Sequence, residues 1–436
     1  MSLLGAMNAA ISGLTAQSAA FGNISDNVAN SQTIGFKRVD TSFIDYLTTS
    51  SAAVNEPGAV VARPDYVNNV QGSISQTDNP LALAIAGNGF FAVSRPNGTV
   101  NGQPTFTPQQ FYTRAGDFHM DANGYLVNSA GNYLNGWLAN PVTNQVNQTV
   151  LAPIQVAQGA YNPVATSLET LSANLPATPA VGTAISTQLQ VYDALGTMHT
   201  VTLDWTQNAT NDWTVAVTSP DDIASPASGT ADIQFGPITS ANPVTDGTIG
   251  NITTVTGSVT TAGYAANTPA ALNFTTDFGF GPQTITLNLG TYGQSTGLTQ
   301  YAGTQYSLNG LTQDGVPPGN FSSVATQANG DVVVSYDNGQ TKVIAQVPVV
   351  DFADPNALQR QNGQAFTATL SSGLPQANSA GANGAGKLIT DATEGSNVDI
   401  ATEFAQLIVA QRAYSANAKI ITTSDDMLQT TIDMKR

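Results

Sequence analysis

Absent residue types exclude several kinds of chemistry. The sequence of 436 residues contains no cysteine, which excludes disulfides, thiolate metal sites and a cysteine nucleophile. Its two histidines, His119 and His199, are too few for a multi-histidine metal site within one chain. No apolar run of about 18 residues occurs, so we expect no insertion into a membrane. These absences favour a protein without a metal or a cofactor.

Charged residues are also scarce, and those present are mostly acidic. Only 9% of the residues are Asp, Glu, Lys or Arg, against about 25% in an average soluble domain. The net charge of -17 repels phosphate backbones, so nucleic acid is excluded as a partner. No Lys or Arg occurs in the 227 residues between Arg114 and Lys342. A stretch of such different composition predicts a domain of its own.

The N-terminus lacks the features of a secretory signal. Residues 3–14 are fairly apolar, but Asn8 and Ser12 interrupt the run. The first basic residue is Lys37, so the positively charged region that precedes the apolar part of a signal peptide is missing. The sequence therefore predicts no cleaved signal peptide.

The middle of the chain has the pattern of β-strands. Residues 200–205, 213–217, 284–289, 332–336 and 343–350 are rich in β-branched and aromatic residues. Residues 208–212 predict a turn, and the Asn338-Gly339 dipeptide predicts a tight hairpin because it tolerates positive φ angles. Residues 240–270 fit either a weakly patterned loop or short exposed strands.

Both ends of the chain predict long helices with one apolar seam each. The apolar positions follow steps of three and four residues, which average to the coiled-coil period. The N-terminal seam consists of Leu4, Met7, Ile11, Leu14, Phe21 and Val28. The C-terminal seam consists of Ile400, Phe404, Leu407, Tyr414, Ala418, Ile421, Leu428 and Ile432, after the possible N-cap residues Ser396, Asn397 and Asp399.

Two interpretations of these helices remain open. They pack on a globular body, or they pair with each other and with copies of themselves. A helix of about 35 residues is roughly 50 Å long, which exceeds what one ordinary domain covers. The second interpretation therefore makes both seams inter-subunit contacts.

Motifs that resemble catalytic or ligand sites lack the context that their chemistry needs. Residues 293–297 match a GxSxG nucleophile elbow, but both histidines lie upstream of it. Residues 381–387 begin like a phosphate-binding loop, but Leu388 stands where a hydroxyl should bind magnesium; a flexible linker is the better interpretation. Residues 121–124 predict a turn. We expect Asp221 and Asp222 to lie in a solvated loop and the two histidines to occupy half-buried positions in strands. We expect no enzyme.

Four segments together resemble the rod–hook axial proteins of the bacterial flagellum. They are residues 24–37, 83–91, 112–127 and 411–430. Residues 190–196 and 313–319, followed by 338–341 and 358–360, are similar to the flagellar hook proteins in particular. The residues that carry the terminal part of the motif are Asn27, Asn30, Gly35, Phe36, Lys37, Gln411, Arg412, Tyr414 and Asn417.

The resemblance implies a multidomain, mainly β fold with nested outer β domains and terminal helices paired as a coiled-coil-like inner domain. The implied domains are residues 1–33 with 395–436 (terminal helices), 34–145 with 336–394 (inner β domain) and 146–335 (outer β domain). It also implies unfolded export through the flagellar type III apparatus and an extracellular location in the basal body–hook structure.

The implied function is a structural one. Many copies polymerise helically into a flexible, curved tube that joins rod to filament and transmits motor torque. The implied partners are other copies of the chain, rod and hook–filament junction proteins, the hook cap and the export apparatus. A distal rod protein is the nearest alternative, although its outer region should be smaller. A secreted β-rich adhesin or carbohydrate-binding module is a remote one, because it leaves the two helices unexplained.

Overall fold

The structure, a computed structural model, describes residues 3–50, 55–140, 143–179, 183–237 and 244–434. The side chains of residues 3–4, 47–50 and 55–57 lie outside this description. Two long helices lie near the two ends of the sequence, and β-strands occupy most of the chain between them. This confirms the predicted mainly β fold. Neither helix, over the residues described, is both long and apolar enough to span a bilayer.

The elements follow one another along the chain as helix, strands, helix. The helices are α1 (Leu3–Ala29) and α2 (Ile400–Asp433), and a 3₁₀ turn covers Pro355–Ala357. The first strands are β1 (Val39–Ser50), β2 (Asn55–Tyr66), β3 (Ile74–Gln76), β4 (Leu83–Ala86), β5 (Phe91–Ser94), β6 (Pro96–Val100), β7 (Gln103–Phe106), β8 (Phe111–Thr113), β9 (His119–Met120), β10 (Leu126–Val127), β11 (Tyr133–Ala139) and β12 (Val146–Pro153). The next are β13 (Leu168–Asn174), β14 (Ile185–Tyr192), β15 (Met198–Ala209), β16 (Asp212–Thr218), β17 (Ala227–Phe235), β18 (Ile249–Thr253), β19 (Thr260–Thr261), β20 (Pro269–Asp277), β21 (Pro282–Thr291), β22 (Leu298–Thr299) and β23 (Ser307–Gln313). The last are β24 (Phe321–Thr326), β25 (Asp331–Tyr336), β26 (Thr341–Gln346), β27 (Val349–Asp351), β28 (Gln359–Gln361), β29 (Ala365–Thr367), β30 (Gln376–Asn378), β31 (Lys387–Thr390) and β32 (Ala392–Glu394).

The chain divides into two compact units. The first contains residues 1–158, 322–335 and 341–436, and the second contains residues 159–321 and 336–340. The three-domain division expected from the sequence, with boundaries at 33/34, 145/146, 335/336 and 394/395, stays a prediction.

The first unit contains both helices and a sheet of eleven strands. Its central path runs β24-β25-β26-β11-β5-β8-β29-β28. Separate pairs are formed by β1 with β2, β3 with β32, β4 with β31, and β27 with β30. Two of these pairs, β3 with β32 and β4 with β31, join strands from the two ends of the sequence, so this unit is completed only when the C-terminal third of the chain returns. An aromatic cluster that includes Phe90, Tyr112, Phe352 and Phe366 forms part of its core.

The second unit is built from two sheets that share one apolar core. One sheet is antiparallel in the order β14-β15-β16-β17-β18, and the other contains β19 to β23 with β13. Alternate residues of most of these strands are buried, as in the burial of Trp213, Val215 and Val217 along β16, which is the period-2 pattern of a strand with one buried face. Trp205 and Trp213 are fully buried in the shared core.

Several local expectations can be compared with the strands. The turns at 208–212 and at Asn338-Gly339 are confirmed, since they connect β15 to β16 and β25 to β26. The run 343–350 is divided between β26 and β27 around Pro348, which has no N–H for a sheet hydrogen bond. Of residues 240–270, those from 244 onward contain the short strands β18 and β19, and residues 240–243 lie outside the described part.

The expectation of a linker at residues 381–387 is wrong. Gly381 to Gly386 form a tight turn that joins β30 to β31, in which the Gly381 N–H donates to the Gly386 carbonyl over 2.9 Å. Gly386 in turn donates to the carbonyl of Asn88 over 2.8 Å. The glycines serve close backbone packing here, a role that composition does not distinguish from flexibility.

One acidic side chain of the second unit, Glu169, is deeply buried. It is 1% exposed on the same face of β13 as Leu171, and among the residues that the structure describes neither of its carboxylate oxygens has a hydrogen-bond partner. Burial, together with the nearby Asp314 carboxylate, raises the pKa of the Glu169 carboxyl from 4.5 to about 7. The ionised form of this side chain is therefore unfavourable in the folded protein.

This side chain predicts a pH dependence of stability. The unfolded chain loses the Glu169 proton near pH 4.5 and the folded chain near pH 7, so the free energy of unfolding should fall as pH rises through this window. The loss attributable to this group is at most about 3 kcal/mol. Urea unfolding monitored by tryptophan fluorescence at pH 5 and pH 8 measures it. Glu169→Gln should remove this part of the pH slope, whereas the exposed Asp246→Asn should retain it; equal slopes in all three proteins would contradict the prediction.

Candidate assembly site: the paired terminal helices and their anchor

The C-terminal helix starts at a well-formed cap. Asp399 is the N-cap of α2, and its Oδ1 accepts hydrogen bonds from the backbone N–H groups of Ala401 (2.9 Å) and Thr402 (3.1 Å). Of the three possible cap residues in the sequence, Asp399 is thus the one used. Glu403 in the first turn also suits the positive end of the helix dipole.

The two helices pack against each other in antiparallel fashion. Near one end of the pair, Gly13 lies against the side chain of Asn417. The rings of Phe21 and Tyr414 meet edge to face, with 6.3 Å between their centroids. At the other end, Asn27 Nδ2 donates to Glu403 Oε1 over 3.1 Å.

Small residues form the buried face of α1. Ala10, Ala16 and Ala20 are at most 4% exposed, and Ile24 and Asn27 are also buried. Small side chains allow the backbone of α1 to approach its neighbours closely. The larger residues of the predicted N-terminal seam lie beside this face: Met7, Leu14, Phe21 and Val28 are half-buried, Ile11 is exposed, and the Leu4 side chain lies outside the described part.

The predicted C-terminal seam is divided between two faces of α2. Leu407, Ala418, Ile421 and Leu428 are half-buried, and the buried residues of the helix are Glu403, Ala410 and Ser424. The remaining seam residues, Ile400, Phe404, Tyr414 and Ile432, are 42–64% exposed. Whether the two seams contact other copies of the chain stays a prediction.

Large apolar residues remain exposed on both flanks of α2. At 3.6 residues per turn, Ile400, Phe404 and Ile408 lie on one side of the face that contacts α1, and Val409, Ile420 and Met427 lie on the other. We call these two sets the first and second stripes. Their members are 44–67% exposed. An open groove of about 550 Å³ between α1, β1 and α2 adjoins the second stripe, since Val409 lines it together with Ile24 and Phe43.

The motif residues at the end of α1 connect the helix pair to the β-strands. The buried Asn27 accepts from the Val39 N–H over 2.9 Å and donates to the Val39 carbonyl over 3.0 Å, in addition to its bond with Glu403. Asn30 ends the helix by bonding back to the Asp26 carbonyl over 2.9 Å. Asn27 therefore ties the last turn of α1 to the first residue of β1 and to α2.

The chain then turns sharply at Gly35. Its φ of +69° is in the left-handed region, and a Cβ there would overlap the backbone of Ala115. Its N–H donates to the Glu394 carbonyl over 2.8 Å, and the next side chain, Phe36, is buried under the guanidinium of Arg360. The Gly-Phe-Lys motif thus bends the chain into the body of the first unit.

A buried ionic cluster anchors both helix connections. Glu394 Oε1 accepts from Lys37 Nζ (2.6 Å), and its Oε2 accepts from Arg114 (2.8 Å). All three residues are at most 2% exposed. The cluster joins three parts of the chain. They are the segment that follows α1, Arg114 directly after β8, and the last residue of β32, which precedes α2.

Backbone groups complete this anchor. Lys37 also donates to the Val70 carbonyl over 2.6 Å, Gly72 N–H donates to Glu394 Oε1 over 2.8 Å, and Arg114 donates to the carbonyls of Ile85 and Gly87. Burial lowers the pKa of the Lys37 ammonium to about 8, with Glu394 opposing and Arg114 adding to the shift. The positive charges of two buried side chains are thus balanced by a single carboxylate.

Glu394, Arg114 and Glu403 were not predicted as site residues. Lys37 was named for its motif, but its partner lies 357 residues further along the chain, and Arg114 and Glu394 are 280 residues apart. Such pairs have no local signal. The motif residues Gln411 and Arg412 are exposed on α2.

The motifs that resembled catalytic sites have ordinary structural positions. Residues 293–297 form part of the turn between β21 and β22, and Asp121 caps its own turn by accepting from Asn123 and Tyr125, as predicted. The expectation that Asp222 is solvated is wrong: it is 5% exposed because it accepts from the N–H groups of Ala224 and Ser225.

The two histidines differ from each other. His119 is exposed in β9, contrary to the predicted half-buried position. His199 is half-buried in β15, as predicted, where its ring stacks on Phe278 and faces Asp221 (3.0 Å) and Asp193 (3.4 Å). Within the described ranges, no group of three or more His, Asp or Glu residues could hold a metal ion.

Three family models match the chain. They are described as Flagellar hook protein FlgE/F/G D1 domain (residues 84–164), Flagellar basal body protein FlaE D2 domain (residues 162–316) and Flagellar basal body rod FlgEFG protein C-terminal (residues 390–434). The flagellar hook protein FlgE of Brucella suis biovar 1 (strain 1330) is 31% identical over 440 residues, which covers 100% of both chains. The chain belongs to the flagellar hook protein family.

A second relative supports this membership of the hook family. The flagellar hook protein FlgE of Salmonella typhimurium is 30% identical over 439 residues, which cover 98% of this chain and 99% of the relative. The crystal structure of the Helicobacter pylori flagellar hook protein FlgE2 aligns with a TM-score of 0.48 and 15% identity, over 72% of this chain and 98% of that one. Membership in the hook family makes the chain a structural subunit located in the flagellar hook.

Proposed function

We propose that the chain polymerises helically through its terminal helices into the flexible, curved tube of the hook. The observation that carries this proposal is the pair of apolar stripes on α2. Side chains such as Val409 (67% exposed) and Phe404 (51% exposed) are unfavourable in water, and groups of exposed apolar side chains are typical of protein–protein contact.

The position of the stripes favours a tube over a dimer. They lie on opposite flanks of α2, so one neighbouring copy covers one stripe and a different copy covers the other. An interface between two different surface patches repeats from copy to copy, and it gives an open helix when the rotation does not close. Other copies of the chain are thus the first partners of this surface.

Family membership supports the remaining parts of the proposal. The tube joins rod to filament and transmits motor torque, with rod and hook–filament junction proteins at its ends and the hook cap at its growing end. The subunit is exported unfolded by the flagellar type III apparatus and functions outside the cell. We further propose that the subunit is not an enzyme. We also propose three domains, from the inner tube outward: residues 1–33 with 395–436, residues 34–145 with 336–394, and residues 146–335.

Electron microscopy of the purified full chain, before and after salting at neutral pH, tests the proposal. Salt screens the repulsion between copies that each carry a net charge of -17, so polymers should appear or lengthen as salt rises. Curved tubes are the expected result. Straight, rigid tubes would support the distal rod alternative, and a chain that stays monomeric at all salt concentrations would contradict the proposal.

A further inference from the structure

The loop between β29 and β30 presents two leucines to solvent. Leu370 is 105% exposed and Leu374 is 85% exposed, the two largest exposures among the large hydrophobic residues described. Single exposed leucines are normal on a protein surface. Two of them four residues apart at nearly complete exposure are less easily explained by the fold, since neither contributes to a core.

The loop that carries these leucines is rigidly held. Ser372 is fully buried, and it exchanges hydrogen bonds with Thr369: the Thr369 N–H donates to Ser372 Oγ (2.9 Å), and the Ser372 N–H donates to Thr369 Oγ1 (3.1 Å). Thr369 Oγ1 donates to the Ala357 carbonyl over 2.8 Å, and the Asp354 N–H donates to the Ser372 carbonyl over 3.2 Å. Gly373, with a φ of +81°, supplies the turn between the two leucines.

This rigidity separates the loop from a mobile surface segment. Its buried serine is fixed to the residues around the 3₁₀ turn, so the backbone of the loop holds both leucines toward solvent. A surface that is ordered before binding loses less conformational entropy when it binds. The loop thus has the properties of a preformed contact, which we call the leucine knob (residues 369–374).

A small apolar groove on the same unit could receive such a knob. It has a volume of about 320 Å³ and lies between α1 and β2. Val60 of β2 is fixed against the helix because its N–H donates to Ser12 Oγ over 3.1 Å. The lining residues, which we call the α1–β2 groove, are Ser12, Thr15, Ala16, Ala19, Ala59, Val60, Val61 and Ala62.

Charge favours the contact between these two surfaces. Each copy has a net charge of -17, so two copies approach most easily where neither presents a charge. Residues 368–375 contain no charged side chain, and none lines the α1–β2 groove. The larger groove beside α2, by contrast, includes Asp40 in its lining.

We propose that the leucine knob of one copy inserts into the α1–β2 groove of the next copy in the polymer. The proposal rests on the proposed function, because it assumes that copies of the chain assemble. Knob and groove are different surface patches, so a contact in which each copy gives its knob to the next copy is head-to-tail, and it propagates when the rotation between copies does not close a ring. It adds a contact outside the stripes of α2.

Substitution of the knob tests this inference. The double variant Leu370→Asp with Leu374→Asp should form no tubes under conditions in which the wild-type chain assembles, and its thermal melt as a monomer should not change, because both side chains are exposed. Val100→Asp is the matched control. Val100 is 60% exposed in β6 of the same unit but has no role in the contact, so this variant should assemble normally.

Cysteine pairing tests the partner surface directly, since the chain has no native cysteine. Leu374→Cys combined with Ala62→Cys should give a ladder of covalent multimers when assembled tubes are oxidised, and each single variant should give dimers at most. Normal tubes from the double Asp variant, or tubes without the ladder, would overturn this inference and leave the proposed function intact. A wild-type chain that never assembles would overturn the proposed function instead.

Discussion

The Glu394→Gln variant should lose about 3–5 kcal/mol of folding free energy, because it leaves Lys37 and Arg114 buried without their shared carboxylate. The amide keeps the shape of the side chain, so the loss reflects charge and not packing. The variant breaks a contact that ties both helix connections to the strands, and it should therefore destabilise the first unit. Urea unfolding followed by circular dichroism measures the change.

Two further variants identify the cause. Asp26→Asn makes the same carboxylate-to-amide change at an exposed pair, where Asp26 and Arg360 are 3.9 Å apart, and it should cost less than about 1 kcal/mol. Lys37→Met added to Glu394→Gln removes one of the two uncompensated cations and should recover part of the stability. If Glu394→Gln unfolds no more easily than Asp26→Asn, the cluster does not anchor the fold as we infer.

The second large effect is expected on assembly. Phe404→Asp and Val409→Asp, one on each stripe of α2, should each abolish tubes while the monomer melts as before. The side chains are 51% and 67% exposed in the single chain, so their replacement disturbs little within it. In an assembled interface, a carboxylate without a partner is strongly disfavoured. Because every 1.4 kcal/mol is a tenfold change in affinity, a few kcal/mol at each repeated contact removes the polymer.

Thr423→Asp is the matched control for these two variants. It adds the same charge to the exposed polar face between the stripes, where we expect no neighbouring copy. Sedimentation after salting measures the assembly of each variant, and a thermal melt measures the stability of its monomer. Tubes from both Phe404→Asp and Val409→Asp would show that the stripes are not inter-subunit contacts, and loss of tubes in Thr423→Asp would show an effect of charge alone.

Local sequence patterns were sufficient for the fold class. The helices α1 and α2, the alternating strands of the second unit and the Asn338-Gly339 turn each depend on residues close in sequence, which periodicity and turn chemistry describe well. Composition added the scarcity of charge and the absence of cysteine. The family followed from short motifs that lie at both ends of the chain and at the edges of its middle.

The sequence could not show which face of α2 meets α1. Apolar residues occur on the α1 side and on both flanks, so the helix has no single hydrophobic face for a periodicity to identify. The steps of 3.5 residues selected Phe404 and Ile432, which are exposed, together with Leu407 and Ile421, which are half-buried. The residues of α2 that the fold buries are Glu403, Ala410 and Ser424, none of which belongs to the predicted seam.

Tertiary structure alone decided the remaining features, because they depend on residues that are distant in sequence. Glu394 meets Lys37 and Arg114 only after β32 pairs with β3 and the C-terminal segment returns. Glu169 is buried because its strand lies inside a sheet, and residues 381–386 are a turn because β31 pairs with β4. Leu370 and Leu374 are no more hydrophobic than other leucines. Their exposure follows from the buried Ser372, whose hydrogen bonds hold the loop away from the core.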